Sequence, residues 1–147
     1  MKILKTLLIG LALISTISCN KYESGPSISF VSRTNRLVQS WDYSAVYRNG
    51  LDVTSGIDTS GYDYSQSSIG FAEDNRFSYF DVINGVEYTG DGFWKFVDND
   101  DKLELIYENI DSTIKTYEIT RLEQNFLWLE EELSNNTTIE LRLIPHN

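Results

Sequence analysis

The stretch that decides the fold is RFSYFDVINGVEYTGDGFWKFV, residues 76–97. Two runs of β-branched and aromatic residues flank Asn84-Gly85 in its middle. Asn-Gly between such runs is a strong hairpin signal, because a type I′ turn requires positive φ at both central positions. We therefore predict that residues 77–83 and 86–89 form an antiparallel hairpin.

A pair of glycines then interrupts the second run, at Gly90 and Gly92. We interpret this pair as a bulge or a corner of the sheet, after which residues 93–97 resume the strand. In that resumed run, strict alternation places Trp94 and Phe96 on one face.

Strand-length runs recur along the remainder of the chain, and no amphipathic helix of useful length is evident. In the first run alternation places Trp41, Tyr43, Ala45 and Tyr47 on one face. Including the two runs of the hairpin and residues 93–97, we count about nine strands; the others are residues 37–47, 62–71, 103–107, 114–120, 126–133 and 138–144. Because closure removes exposed sheet edges, we predict an all-β fold, a small antiparallel up-and-down β-barrel of about eight strands.

Long connections are the least determined part of this prediction. Residues 51–61 are rich in Thr, Ser, Gly and Asp, so they form either a lid over one barrel end or a solvated connection. Asp98-Asn99-Asp100-Asp101 resembles a calcium loop in composition but lacks its spacing and distal Glu, so we predict a turn. Asn136 belongs to a further predicted hairpin turn that tolerates left-handed geometry.

The N-terminus has the features of a bacterial lipoprotein leader. Lys2 and Lys5 form a basic region, and residues 7–17 form an apolar run of about eleven residues, which is too short to span a bilayer. Ser18-Cys19 resembles the end of a lipobox. We predict a signal peptide at residues 1–18, lipidation of Cys19, a tether within residues 19–35, and a barrel domain at residues 36–147.

Charge and cysteine content limit the partners. Cys19 is the only cysteine, so no intramolecular disulfide can form. Removal of residues 1–18 takes away two of the 12 basic and none of the 22 acidic residues, so the formal net charge falls from −10 to −12. Such a surface disfavours nucleic acid as a partner. We expect membrane attachment through the lipid, in the cell envelope, with Asn20 favouring the outer membrane of a Gram-negative bacterium.

Several short motifs resemble the lipocalin-like domain of bacterial lipoproteins. Leu37-Val38-Gln39-Ser40-Trp41 resembles its Leu-x-Gly-x-Trp opening, with Gln39 in place of the glycine. Similar motifs follow in the same order, namely residues 69–71, 92–96, 117–122 and 126–129. The resemblance covers about residues 36–144. It implies an eight-stranded lipocalin-like barrel and no particular ligand.

The usual catalytic groups are missing from the sequence pattern, so we predict no catalytic residues, no metal site, no cofactor and no enzymatic activity. The sole histidine, His146, is next to the C-terminal residue. Glu130, Glu131 and Glu132 must alternate between the two faces of a strand, and we interpret them as belonging to a solvated strand.

Asp81 is the most informative polar residue, because alternation places it on the face of Phe77, Tyr79 and Ile83. A buried carboxylate requires a partner, for which Arg76, Lys95 or a polar ligand are the candidates. An eight-stranded barrel either fills itself with side chains or holds one small molecule. The first alternative predicts a structural, interaction or inhibitor protein with an envelope partner, and the second predicts a small apolar or amphipathic ligand. The candidate ligand-binding residues are Trp41, Tyr43, Tyr79, Asp81, Trp94 and Tyr107.

Overall fold

The structure is a computed structural model that describes residues 31–54, 61–108 and 113–147. The predicted signal peptide, Cys19, most of the tether, residues 55–60 and the turn at residues 109–112 lie outside the described residues. The elements are helix α1 (Arg33–Leu37), strands β1 (Ser40–Arg48), β2 (Leu51–Asp52), β3 (Ser68–Phe71), β4 (Arg76–Ile83), β5 (Val86–Val97), β6 (Lys102–Tyr107), β7 (Ile114–Leu122), β8 (Leu127–Glu132) and β9 (Thr138–Pro145), and a 3₁₀ turn at Tyr64–Gln66.

The strands form one closed antiparallel barrel, as predicted. Each strand from β3 to β9 pairs with the next, and β9 returns to pair with β1 from Trp41↔Pro145 to Arg48↔Ile139. β2 and β3 pair with opposite ends of the same edge of β1. The nine strands therefore occupy eight positions around the barrel. Among the described residues, no helix is long and apolar enough to cross a membrane.

The predicted hairpin is confirmed. β4 and β5 pair without interruption up to Ile83↔Val86. The turn residues Asn84 and Gly85 have φ values of 54° and 75°, which is the type I′ geometry that the sequence indicates. The Asn84 backbone N–H also donates to the Gly61 carbonyl at 2.8 Å, which attaches the turn to the chain that precedes Tyr62.

Of the two alternatives predicted at Gly90 and Gly92, a bulge or a corner, the bulge is wrong, because β5 is continuous from Val86 to Val97 and its register with β4 does not shift. The glycines instead make room for aromatic rings. A Cβ at Gly92 would lie 2.7 Å from Cε1 of Phe77 and would collide with the carbonyl oxygen of Ile106, while one at Gly90 would collide with the Tyr79 ring. Glycine at these positions permits close approach of the neighbouring strand and rings.

The first strand starts later than predicted and contains a bulge that the sequence did not indicate. Residues 37–39 are not part of β1, because the helix α1 extends to Leu37 and β1 begins only at Ser40. Ser32 caps this helix by accepting from the Asn35 N–H at 3.1 Å. The register against β9 shifts between Tyr43 and Ala45. Val46 is consequently buried, while Tyr47 lies outside with the Arg142 guanidinium 4.8 Å from its ring centre. The predicted placement of Ala45 and Tyr47 on the same face as Trp41 and Tyr43 therefore fails beyond the bulge.

One end of the barrel is closed by α1 and filled with apolar side chains. Leu37 is fully buried there, and the buried Arg36 guanidinium donates to the Leu122 carbonyl at 2.7 Å. Trp41 donates its indole N–H to the Leu37 carbonyl at 2.9 Å, and Trp94 donates its own to the Ala72 carbonyl at 3.1 Å. The buried core cluster consists of Leu37, Trp41, Val46, Ile69, Phe71, Phe77, Trp94, Leu103, Leu105, Tyr117, Ile119, Leu122, Leu127, Leu129, Leu141 and Leu143.

The predicted strand at residues 62–71 forms only in its second half. The Asp63 carboxylate accepts from the N–H and the hydroxyl of Ser65, which starts a 3₁₀ turn in place of a strand. Tyr62 keeps a single bridge to Ile83, and β3 begins at Ser68. This turn puts Tyr62 and Tyr64 beside the end of the barrel that is opposite α1.

Candidate functional site

The barrel end opposite α1 contains a cavity, which we call the mouth cavity. Its outer chamber has a volume of about 520 Å³ and is lined by Tyr62, Tyr79, Asp81, Ile83, Tyr88, Tyr107, Thr113 and Lys115. Its inner chamber, of about 90 Å³, is lined by Tyr43, Tyr62, Tyr64, Asp81, Tyr107, Lys115, Tyr117, Glu131, Ile139 and Leu141. Four residues line both chambers, so the two are continuous.

Tyrosines dominate the wall, because seven of the nine in the sequence line one chamber or the other. On one side Tyr62 stacks on Tyr64 with ring centres 5.3 Å apart, and Tyr64 contacts Tyr43 at 5.8 Å. On the other side Tyr79 meets Tyr107 edge to face at 5.4 Å. These ring contacts hold the tyrosine side chains in place. The wall of the cavity therefore offers both apolar ring faces and polar hydroxyl groups.

Asp81 points into this cavity, as the alternation of β4 predicts. Burial raises its pKa from the ordinary value to about 6, while the charge of Lys115 and a hydrogen bond donated by the Tyr62 hydroxyl act in the opposite direction. Burial, and then the nearby Asp81 carboxylate, raise the pKa of Tyr62 to about 12. The Asp81 carboxylate therefore titrates closer to neutrality than an exposed one.

Lys115 on β7 provides the positive charge that faces Asp81, and neither predicted candidate does so. Arg76 pairs with Asp91 and, at 2.7 Å, with Glu108. Lys95 pairs with Glu104 at 2.7 Å, and the two residues are cross-strand neighbours on β5 and β6. Both cations are occupied by carboxylates other than Asp81.

The inner chamber contains a second carboxylate, that of Glu131. Glu131 is the one of the three consecutive β8 glutamates that lies on the inner face. Our interpretation of a solvated strand placed none of the three inside the barrel. Tyr117 lies buried beside Glu131 and donates its hydroxyl proton to the Tyr107 oxygen. Burial first, and then the charges of Tyr107 and Glu131, raise the pKa of Tyr117 well above its ordinary value.

The structure brings four of the six predicted ligand-binding residues to the mouth cavity, namely Tyr43, Tyr79, Asp81 and Tyr107. Trp41 and Trp94 lie instead in the filled half, where their relative exposures are 0% and 3%. Both tryptophans face inward, but the chambers do not reach them. Alternation gives the face of a side chain and carries no information about which end of the barrel is filled.

Sequence reasoning missed four wall residues of particular chemistry. Strand alternation could have identified two of them. Lys115 lies on the same face of β7 as Tyr117, and Glu131 lies on the same face of β8 as Leu129. Tyr62 and Tyr64 had no such signal, because they stand on an irregular connection rather than on a strand. Among the described residues, no group of three His, Cys, Asp or Glu is placed to hold a metal ion.

Comparison with known proteins identifies the fold. No protein-family model matches the sequence, and no curated protein matches it. A solved structure of a lipocalin-like protein from Bacteroides uniformis matches with a TM-score of 0.53 at 15% identity, over 76% of this chain and 99% of that chain. The fold is lipocalin-like. At this identity the match shows architecture and leaves the ligand open.

More distant barrels were also found. An odorant-binding protein from bovine nasal mucosa aligns at a TM-score of 0.48 and 11% identity, over 82% of this chain and 77% of that chain. Japanin from Rhipicephalus appendiculatus, in a structure bound to cholesterol, aligns at 0.48 and 15% identity, over 73% and 74%.

Proposed function

We propose that this protein is a lipid-anchored binding protein of the cell envelope that holds one small amphipathic ligand in the mouth cavity. The single observation that carries the binding part is the volume of the outer chamber, about 520 Å³. That volume lies within the range of small-molecule sites, roughly 300–1,000 Å³. A lumen filled throughout would instead favour a structural, interaction or inhibitor protein.

The chemistry of the wall supports an amphipathic ligand rather than a purely apolar one. Ile83 and the ring faces of Tyr79 and Tyr88 offer apolar contact in the outer chamber. Asp81, Lys115 and the tyrosine hydroxyls offer polar contacts deeper inside. Such a combination, a mostly apolar wall with a few placed polar groups, orients a ligand that has a polar end.

The anchoring part of the proposal is based on the sequence. The apolar run at residues 7–17 followed by Ser18-Cys19 is typical of a lipoprotein leader, and the barrel begins shortly afterwards at Ser40. Several acyl chains on one cysteine would anchor the protein stably, since each buried methylene contributes about 0.8 kcal/mol. We propose the outer membrane of a Gram-negative bacterium as the location.

A matched pair of substitutions tests the binding site. Thr113 lines the outer chamber, whereas Thr116 is exposed on the outer face of β7. We expect the full chain to bind the fluorescent probe N-phenyl-1-naphthylamine, Thr113→Trp to weaken binding at least about tenfold by filling the chamber, and Thr116→Trp to leave it unchanged. Equal binding by both variants, or none by the unaltered chain, would overturn the proposed site.

Native mass spectrometry of the protein as purified gives an independent measurement. We expect a fraction of the molecules to carry one additional small mass, and Thr113→Trp to lose it. Retention of that mass by Thr113→Trp would place the ligand outside the mouth cavity.

A further inference from the structure

Building on the proposed binding function, we infer that the mouth cavity selects amphipathic ligands with one positive charge, and that Glu131 holds their amine head group in the inner chamber. The inference rests on the charges, rings and dimensions of that chamber. It is more specific than the proposed function, and it can fail while that function holds.

The charges in the wall do not balance. Among the described residues that line the chambers, Asp81 and Glu131 carry carboxylates and Lys115 carries the single ammonium group. The charge of Lys115 favours the ionised form of Asp81. Glu131 forms no direct ion pair with another described residue. The cavity therefore has one negative charge in excess. A cation would neutralise this charge, whereas a carboxylate or phosphate ligand would add to it.

The position of Glu131 places the excess charge in the inner part of the cavity. Glu131 lies opposite Ile139 in the pairing of β8 with β9, and the apolar Leu141 lines the same chamber. Tyr117 is close enough to Glu131 for the pKa of Tyr117 to respond to the Glu131 charge. In such a partly desolvated site an ion pair with a ligand is stronger than in water. Glu131 can thus act as the countercharge of a head group that enters from the outer chamber.

Aromatic rings reinforce this preference. Tyr43 and Tyr64 contact each other at 5.8 Å and line the inner chamber together with Tyr117. The negative face of an aromatic ring attracts an ammonium group, and the attraction is stronger where the group is desolvated. A carboxylate head group meets no equivalent attraction from the rings.

The two chambers fit the two parts of such a molecule. The inner chamber of about 90 Å³ equals the volume of roughly three water molecules, so it accommodates an ammonium group and its first methylenes. The outer chamber of about 520 Å³, next to Ile83 and Tyr88, accommodates the apolar body. We therefore assign a primary alkylamine, or an arylalkylamine of similar length, as the ligand class.

Three probes of equal chain length separate the alternatives. Decylamine, decanol and decanoate differ only in the head group, and at about pH 7.5 the amine is protonated and the acid ionised. We would measure their binding to the full chain by isothermal titration calorimetry at submicellar concentrations. We expect decylamine to bind at least about tenfold more tightly than the other two.

Two isosteric variants on adjacent positions of β8 locate the charge responsible. Glu131→Gln should lower the ratio of decylamine affinity to decanol affinity about tenfold, whereas Glu132→Gln, on the exposed face, should leave this ratio unchanged. Equal affinities for the three probes, tighter binding of decanoate, or an undiminished amine preference in Glu131→Gln would overturn the inference while the binding function stands. Binding of none of the three would overturn both.

Discussion

At the scale of single residues, Asp81 shows how a carboxylate is tolerated inside a barrel wall. The Tyr62 hydroxyl donates to it and Lys115 faces it, yet burial outweighs both and raises its pKa to about 6. Removing charge from water costs free energy that hydrogen bonds recover only in part. A charged residue that destabilises the fold in this way is compatible with a role in binding.

Replacement of Asp81 by Asn should therefore change the pH dependence of stability. Between about pH 4 and pH 6 the folded state retains a proton that the unfolded state has already released, so the stability of the unaltered protein falls as the pH rises through this window. The full shift corresponds to about 3 kcal/mol, and since part of the group contacts water we expect about 1–2 kcal/mol. Asp81→Asn should thus gain stability relative to the unaltered chain by this amount between pH 4 and pH 7.

Urea denaturation at a series of pH values measures this difference. Glu87→Gln is the matched control, because Glu87 is exposed on the neighbouring strand β5. For this control we expect no gain in stability of the size expected for Asp81→Asn. A difference that stays constant with pH for Asp81→Asn would mean that Asp81 is solvated in the folded protein.

The residues of the site were predictable to the extent that they lie on regular strands. Tyr79 and Asp81 follow from alternation along β4, and Tyr107 from alternation along β6. Tyr62 and Tyr64 did not follow, because an Asp63-capped turn replaces the strand that the sequence suggested. Local hydrogen bonding of the Asp side chain overcame strand propensity there.

At the scale of elements, turns were more predictable than bulges. Asn84-Gly85 specifies its own geometry, since positive φ is an intrinsic requirement of the type I′ turn. The bulge in β1 depends on the register against β9, about a hundred residues further along the chain. Gly90 and Gly92 suggested a bulge, but their role depends on Tyr79 and Phe77 on the neighbouring strand. Features set by a partner strand leave little trace in the local sequence.

The β4–β5 turn provides a test at this scale. Gly85 has φ +75°, and a Cβ built there would meet nothing within 4 Å, so any effect of substitution arises from backbone conformation alone. We expect Gly85→Val to destabilise the protein by at least about 1 kcal/mol, because a β-branched residue resists positive φ. Gly85→Asn should cost much less, since Asn tolerates left-handed geometry. Equal melting temperatures for the two variants would contradict the type I′ assignment.

At the scale of the whole molecule, the closed barrel was predictable and its division into a filled and an open half was not. The number and spacing of strands indicate closure, as do their alternating faces. Which half is filled depends on where large side chains meet in three dimensions. The α1 half contains the large apolar side chains Trp41, Phe71, Phe77 and Trp94 of the core cluster. The other end is surrounded by fewer apolar side chains and by more tyrosines. That outcome is a balance of volumes that no single strand encodes.

This division bears on the proposed lipid anchor at Cys19, which leads to the last prediction. α1 begins at Arg33 at the filled end, so the proposed tether from Cys19 would join the barrel at the end opposite the mouth cavity. We expect Cys19→Ser to prevent labelling with fatty acid and to move the protein from the membrane fraction to the soluble fraction, while Ser24→Ala in the tether changes neither. Because the proposed tether would join the barrel at its filled end, we expect ligand affinity to agree within about twofold between the lipidated protein and Cys19→Ser. Continued labelling of Cys19→Ser would refute the lipobox assignment. A large difference in affinity would mean instead that the mouth of the barrel faces the bilayer.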